Sequence, residues 1–316
     1  MNEKEQKPRS LLLKVSKIVF MILVALFLFR WFYRNYDDIR KLDLKPKWGY
    51  FLLSLVFYCM YKLTQASFWH YITVLNGAAI SYTGGVKAFL YSILGKYIPG
   101  KVFMLLARIP PYQEKGISAG KVTMCFLLEN VCTILGAGML FIVSLFVFPM
   151  AEFQQYKWLT IVLIIVFIIC INPAILNFGL NLLGKIVKKD ISKIQITYPQ
   201  MLTVVLLFVL NWVIYGTGFY FLICSFYPLP LSQWLYVSGI YALSCIAGIL
   251  AIFSPSGIGV REGILLLGLG LIMDQNLAVM LSIIARLWAV LTELVLIGII
   301  FIADKTMGML AKKKQA

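Results

Sequence analysis

Charge is what this chain has least of. Asp, Glu, Lys and Arg make up 13% of its 316 residues, against 61% hydrophobic, whereas a soluble domain carries about 25% charged residues. The shortage excludes a soluble globular enzyme and leaves no stretch polar enough for a separate aqueous domain. Residues 194–260 hold no Asp, Glu, Lys, Arg or His at all. A mean hydropathy of +0.88 places nearly the whole length in a membrane.

Other shortages narrow the chemistry. The one histidine, His70, stands beside Trp69 at the end of a span, so zinc sites and histidine-based triads lack their parts. The six cysteines, at 59, 125, 132, 170, 224 and 245, all fall in apolar spans, and none forms a Cys-x-x-Cys pair. They read as small core residues, not metal ligands or disulfides. Walker and Rossmann fingerprints are missing, so no cofactor, no metal and no catalytic residue is expected. A cleavable signal is missing too. The first apolar stretch, about Leu11 to Phe32, is longer than a signal-peptide core and reads as a retained span.

Acidic residues are scarce even among the charges: 13 Asp plus Glu against 29 Lys plus Arg, for a net charge of +16. The basic residues sit in tails and loops, where they set topology and touch anionic headgroups. No aromatic-basic recognition module accompanies them, so nucleic acid is not an expected partner.

What is present is apolar sequence in span-length pieces. A membrane helix needs about 20 apolar residues, and the candidates are 11–32, 48–69, 122–149, 158–180, 201–224, 233–253 and 276–303. Trp48, Trp69, Trp158, Trp212 and Trp234 lie near span ends, as belt aromatics do. The predicted fold is all-α: one polytopic integral membrane domain over 1–316, with about seven or eight transmembrane helices and one or two broken or re-entrant segments. Short basic tails at 1–10 and 304–316 and the loop 181–200 read as cytoplasmic, and the uncharged loop 225–232 as external. The loop 30–47, with six basic residues, conflicts with that scheme unless 84–109 crosses fully. If 84–109 dips in and returns, the N-terminal tail stays inside, and that version is preferred.

Two apolar segments are interrupted. One contains Pro99-Gly100-Lys101, with Arg108 seven residues on; the other contains Pro255-Ser256-Gly257, Gly259 and then Arg261-Glu262. Proline and glycine break the helical hydrogen-bond ladder. Free backbone groups and charges at membrane depth are tolerated only where they line a cavity. Paired interruptions in the two halves of a chain point to a transporter binding site. A half-helix starting after Gly259 presents an N-terminus suited to anions, and Arg261 adds a planar guanidinium suited to phosphate. The competing reading is a kinked helix whose Arg-Glu pair stabilises the bend. Lys96, Lys101 and Arg108 cluster around the first break, either lining a cavity mouth or snorkelling to headgroups.

Glu129 is the one charge between Lys121 and Glu152. An isolated carboxylate in a span finds a cation or is protonated; Arg108, Arg261 and Arg286 are the candidate partners, and proton coupling is the alternative. Arg286 and Glu293, seven apart in the last span, share a helix face.

The blocks Gly95-Lys-Tyr-Ile-Pro-Gly-Lys101 and Pro255-Ser-Gly-Ile-Gly-Val-Arg-Glu-Gly263 resemble those of the lysylphosphatidylglycerol synthase transmembrane family, also called the flippase-like domain family. Glu129 and Arg286 fit it as well, and the resemblance covers roughly 11–303. Asn130 departs from it, standing where a Glu-Arg-like pair is expected. The resemblance implies a stand-alone member without the synthase domain, so lysyl transfer is not implied. It implies translocation of an anionic phospholipid or a polyprenyl-phosphate-linked sugar between leaflets of the cell membrane, in cell-envelope biosynthesis. The candidate headgroup ligands are Lys96, Lys101, Arg108, Arg261, Glu262 and Arg286, with Glu129 and Glu293 as charge partners or proton-coupling groups. The alternatives are a membrane-embedded transferase on lipid-linked glycan, or an accessory subunit of a membrane glycosyltransferase.

Overall fold

A computed structural model describes residues 46–97, 102–147, 157–187, 192–251, 257 and 259–315. All regular structure among them is helical. The helices are α1 (Trp48–Leu75), α2 (Tyr82–Ser92), α3 (Val102–Gln113), α4 (Ala119–Val147), α5 (Lys157–Cys170), α6 (Pro173–Val187), α7 (Tyr198–Phe226), α8 (Trp234–Leu250), α9 (Val260–Leu269) and α10 (Gln275–Gln315), with 3-10 turns at Ile93–Tyr97 and Leu231–Gln233. Among the described residues, five helices are long and apolar enough to cross a bilayer: Trp48–Leu75, Ala119–Val147, Tyr198–Phe226, Leu231–Leu250 and Gln275–Ile302. The expected span 11–32 and the loop 30–45 lie outside the described residues.

The ends of these helices sort onto two faces. On one, the Lys121 ammonium donates to the Gly77 carbonyl at 3.2 Å, and Asn76 Oδ1 accepts from the Gln195 amide at 3.0 Å. The loops 76–81, 114–118 and 192–197 therefore sit together, and Lys115, Lys121 and Lys193 make this face basic, the positive-inside mark of a cytoplasmic face. On the other, the Lys47 amide donates to the Ser225 carbonyl at 2.8 Å, joining the start of α1 to the end of α7. This outer face carries the uncharged loop 227–230.

The segment after α1 is a re-entrant hairpin. Tyr82, at the start of α2, pairs its hydroxyl with Ser67 at 2.8 Å, and Tyr112, near the end of α3, packs edge-on against Trp69 at 5.9 Å. Both limbs thus begin and end beside the cytoplasmic end of α1. Eleven residues of α2 rise only about 16 Å, half a bilayer, so α2 itself ends near mid-depth. There the backbone of Phe103 and Met104 presses on Gly95, where an added Cβ would lie 2.7 Å from the Met104 nitrogen.

A second hairpin enters from the outer face. Tyr236 in α8 donates to the Gly268 carbonyl of α9 at 2.9 Å, and Gly248 lies against Gly257 and Arg261. The two helices run antiparallel. The ten residues of α9 rise about 15 Å, so its N-terminus is also near mid-depth. Gly257 at the turn has φ +70°, a conformation natural to glycine, and its Cα abuts Gly248.

Three sequence expectations change. The predicted span 158–180 is two helices, because Pro173 removes a ladder donor and Asn172 caps the second helix, its side chain accepting from the Ala174 amide at 2.9 Å. Residues 304–315 are not a loose tail but continue α10. Just beyond the span, Asp304 pairs with Lys87 at 2.6 Å and accepts from Tyr91 at 2.7 Å, which holds its carboxyl below the usual range. Trp69 and Trp212 are not belt residues: both are buried, Trp212 donating to the Thr133 carbonyl at 2.9 Å. Trp48 and Trp158, at helix starts, are exposed.

Candidate functional site

The buried apolar side chains form two clusters, split at one level of the membrane. Going down α1 the boundary falls between Tyr61 and Ala66, in α4 between Ala137 and Cys132, and in α7 between Trp212 and Phe208. A cavity of about 170 Å³ occupies that seam. Its walls are Tyr61, Lys62 and Gln65 of α1; Phe126, Glu129, Asn130 and Thr133 of α4; Trp212 and Tyr215 of α7; and Ala289 and Glu293 of α10. The first hairpin adds Phe89, Ile93, Lys96, Met104 and Arg108, and the second adds Cys245, Gly248, Ile249 and Arg261. Both interrupted segments therefore meet at one site, although each enters from its own face.

Two carboxylates organise the charges. Glu293 is fully buried. It binds Lys62 at 3.1 Å and Lys96 at 2.5 Å, and accepts from the Tyr58 hydroxyl at 2.7 Å. Glu129 pairs with Arg108, which settles its partner among the three candidates. Arg108 also donates through Nε to Ser92 Oγ at 2.8 Å. Its guanidinium lies 4.3 Å from the Trp69 ring centroid and 4.5 Å from that of Phe89. This environment suits a buried guanidinium, which is weakly hydrated and stacks on aromatic faces.

Arg261 differs. Among the described residues no carboxylate lies within ion-pair distance of it. Its Nη2 donates to the Tyr241 hydroxyl at 3.3 Å, and that hydroxyl donates to Tyr215 at 2.9 Å. Its neighbour Glu262 instead accepts from the Gly259 amide at 2.7 Å and sits 3.6 Å from Arg286. The carboxylate of Glu262 thus fills the N-terminus of α9 that the sequence offered to an anion, and neither Glu262 nor Arg286 lines the cavity. A short side chain in the first helical turn reaches its own N-cap more readily than a cavity wall. Lys101, Pro99, Gly100 and Pro255 lie outside the described residues; Gly257 and Gly259 form the turn before α9, both with positive φ.

On the outer side of the cavity the aromatic rings close ranks. Tyr61 and Tyr215 stack at 3.9 Å, Tyr58 meets Trp288 at 4.8 Å and Tyr215 meets Tyr241 at 4.8 Å. Lys62, Gln65 and these tyrosines escaped the sequence reading. Lys62 had a signal: apart from His70 it is the one ionisable Lys, Arg, Asp or Glu-type charge within α1, the same isolation that marked Glu129. The tyrosines had none, since a tyrosine in a span is ordinary core or interface.

Membrane-length helices, two hairpins entering from opposite faces and a charged cavity where they meet define a multi-pass membrane protein. The chain matches the lysylphosphatidylglycerol synthase TM region over residues 15–297 and belongs to that family. No curated protein matches it in sequence.

Proposed function

We propose that this protein translocates an anionic phospholipid or a polyprenyl-phosphate-linked sugar between the leaflets of the cell membrane. The observation that carries the reading is the charge balance of the cavity among the described residues: four cations, Lys62, Lys96, Arg108 and Arg261, against two carboxylates, Glu129 and Glu293. Arg108 is committed to Glu129, and Glu293 is shared by the two lysines, which leaves a positive surplus centred on Arg261. Taking an ionised phosphate bare into hydrocarbon costs on the order of tens of kcal/mol. Fixed guanidinium and ammonium donors at mid-depth replace the lost water, while the acyl or prenyl chains stay in lipid. The two hairpins supply the moving parts: withdrawing one tip at a time exposes the same cations to one leaflet at a time. A membrane glycosyltransferase that uses the same lipid is the partner this reading implies.

The test is dithionite quenching of fluorescent anionic lipid in proteoliposomes. Wild-type protein equilibrates the label across both leaflets, and Arg261→Ala, inserted and folded to the same degree, abolishes the exchange. Full exchange by Arg261→Ala would remove the reading.

A further inference from the structure

One polar group in the cavity answers to none of the charges. Gln65 lies one turn inward of Lys62 on α1 and lines the cavity. It is 8% exposed, and its side-chain oxygen has no hydrogen-bond partner among the described residues. A buried acceptor left unpaired is costly, so its presence at a binding cavity points to a donor on the occupant. A phosphodiester has only acceptor oxygens and does not meet that need. An ammonium group would, but it would enter among Lys62, Lys96 and Arg261, where cations already outnumber carboxylates. A hydroxyl remains, and as donor and acceptor at once it suits an amide in either rotamer. At about 170 Å³ the cavity is smaller than the roughly 300–1,000 Å³ that holds drug-sized ligands, so it suits one phosphate with a small polyol or a single sugar.

We infer that the cavity selects a phosphodiester headgroup that bears hydroxyls and no amine, with Arg261 holding the phosphate and Gln65 reading a headgroup hydroxyl. The inference rests on the translocation reading for its substrate but concerns the selectivity of the site. Phosphatidylglycerol and a polyprenyl-phosphate hexose share this chemistry; phosphatidylmethanol, also a phosphodiester, lacks the hydroxyl, and lysylphosphatidylglycerol adds cationic amines.

The experiment compares these four lipids, each fluorescently labelled on the chain, in proteoliposomes of the full-length protein. Native mass spectrometry of the same preparations reads binding independently of transport. Phosphatidylglycerol or the hexose lipid, whichever is the faster naming the natural source, should exceed phosphatidylmethanol by roughly fivefold, the weight of one hydrogen bond. Either should exceed lysylphosphatidylglycerol by about tenfold or more, through like-charge repulsion. Gln65→Leu should bring the ratio of phosphatidylglycerol to phosphatidylmethanol close to unity, a ratio that a loss of folded protein does not alter. Equal handling of phosphatidylglycerol and lysylphosphatidylglycerol, or an unchanged ratio in Gln65→Leu, overturns the inference. Selective binding without transport of any lipid sinks the translocation reading and leaves this one standing.

Discussion

Glu293 holds two lysines and a tyrosine on one fully buried carboxylate. Its removal takes that carboxylate from Lys62 and Lys96 together. Breaking a buried ion pair from one side costs about 3–5 kcal/mol, so Glu293→Ala should lower the thermal unfolding midpoint in detergent markedly, and Glu293→Gln, which keeps the acceptor for Tyr58 but not the charge, somewhat less. The second pair gives a sharper comparison. Arg108→Ala strands Glu129 and should be destabilising by a similar amount, whereas the double change Arg108→Met with Glu129→Leu removes both charges and should recover most of the loss. A double mutant no better than the single would show that Arg108 matters through its aromatic contacts rather than through Glu129. These pairings were only partly legible in the sequence. Isolation in an apolar span flagged Glu129, Arg286 and Glu293, and the same criterion applied to α1 would have flagged Lys62. Which cation meets which carboxylate was not legible, because Arg108 and Glu129 stand 21 residues apart and Lys96 and Glu293 stand 197 apart, and the pairing is a property of helix packing.

At the scale of the element, each hairpin closes on a glycine. Gly95 takes the backbone of Phe103 and Met104 against its Cα, and Gly248 takes Gly257 and the Arg261 stem. A methyl at Gly248 would come within 2.6 Å of Arg261 Cγ and 2.8 Å of Cδ, so Gly248→Ala should displace the guanidinium while leaving α8 intact. The expected result is a large loss of lipid exchange with a near-normal unfolding midpoint. At Gly95 the obstacle is backbone, which yields less readily, so Gly95→Ala should cost stability as well as exchange. The sequence showed that both segments were broken, since proline and glycine in membrane-grade sequence have few other uses. It drew attention to Pro99, Gly100, Pro255, Gly257 and Gly259, however, while the described close approaches also rest on Gly95 and Gly248, whose role depends on the opposite limb.

For the whole molecule, the decisive question is how many times the chain crosses between residues 76 and 119. The hairpin returns to its starting face, so Ala79 and Ser118 share the cytoplasmic side while Ser232 and Gln275 lie on the outer side. Single cysteines at these four positions, in a background with the six native cysteines replaced, should react with an impermeant maleimide in two pairs, 79 with 118 and 232 with 275. Labelling of 79 and 118 from opposite sides would require α2 and α3 to cross, and would break the cavity apart. The same architecture predicts that the two hairpins move relative to the long helices, so cross-linking the tip of either one to α1 or α7 should arrest exchange without unfolding the protein.

The sequence by itself determined the solvent this protein lives in, its all-helical character and the two places where its helices break, because apolar length, charge scarcity and backbone hydrogen bonding in lipid act locally along the chain. It also marked Arg261 and Glu129 as charges that needed a reason. The tertiary structure alone decided that both breaks meet at one cavity, that Glu262 satisfies its own helix instead of facing a ligand, and that Lys62 and Gln65 belong to the site. Those outcomes depend on which faces of distant helices come together at mid-membrane, and hydropathy does not distinguish a helix face turned to lipid from one turned to a neighbouring helix.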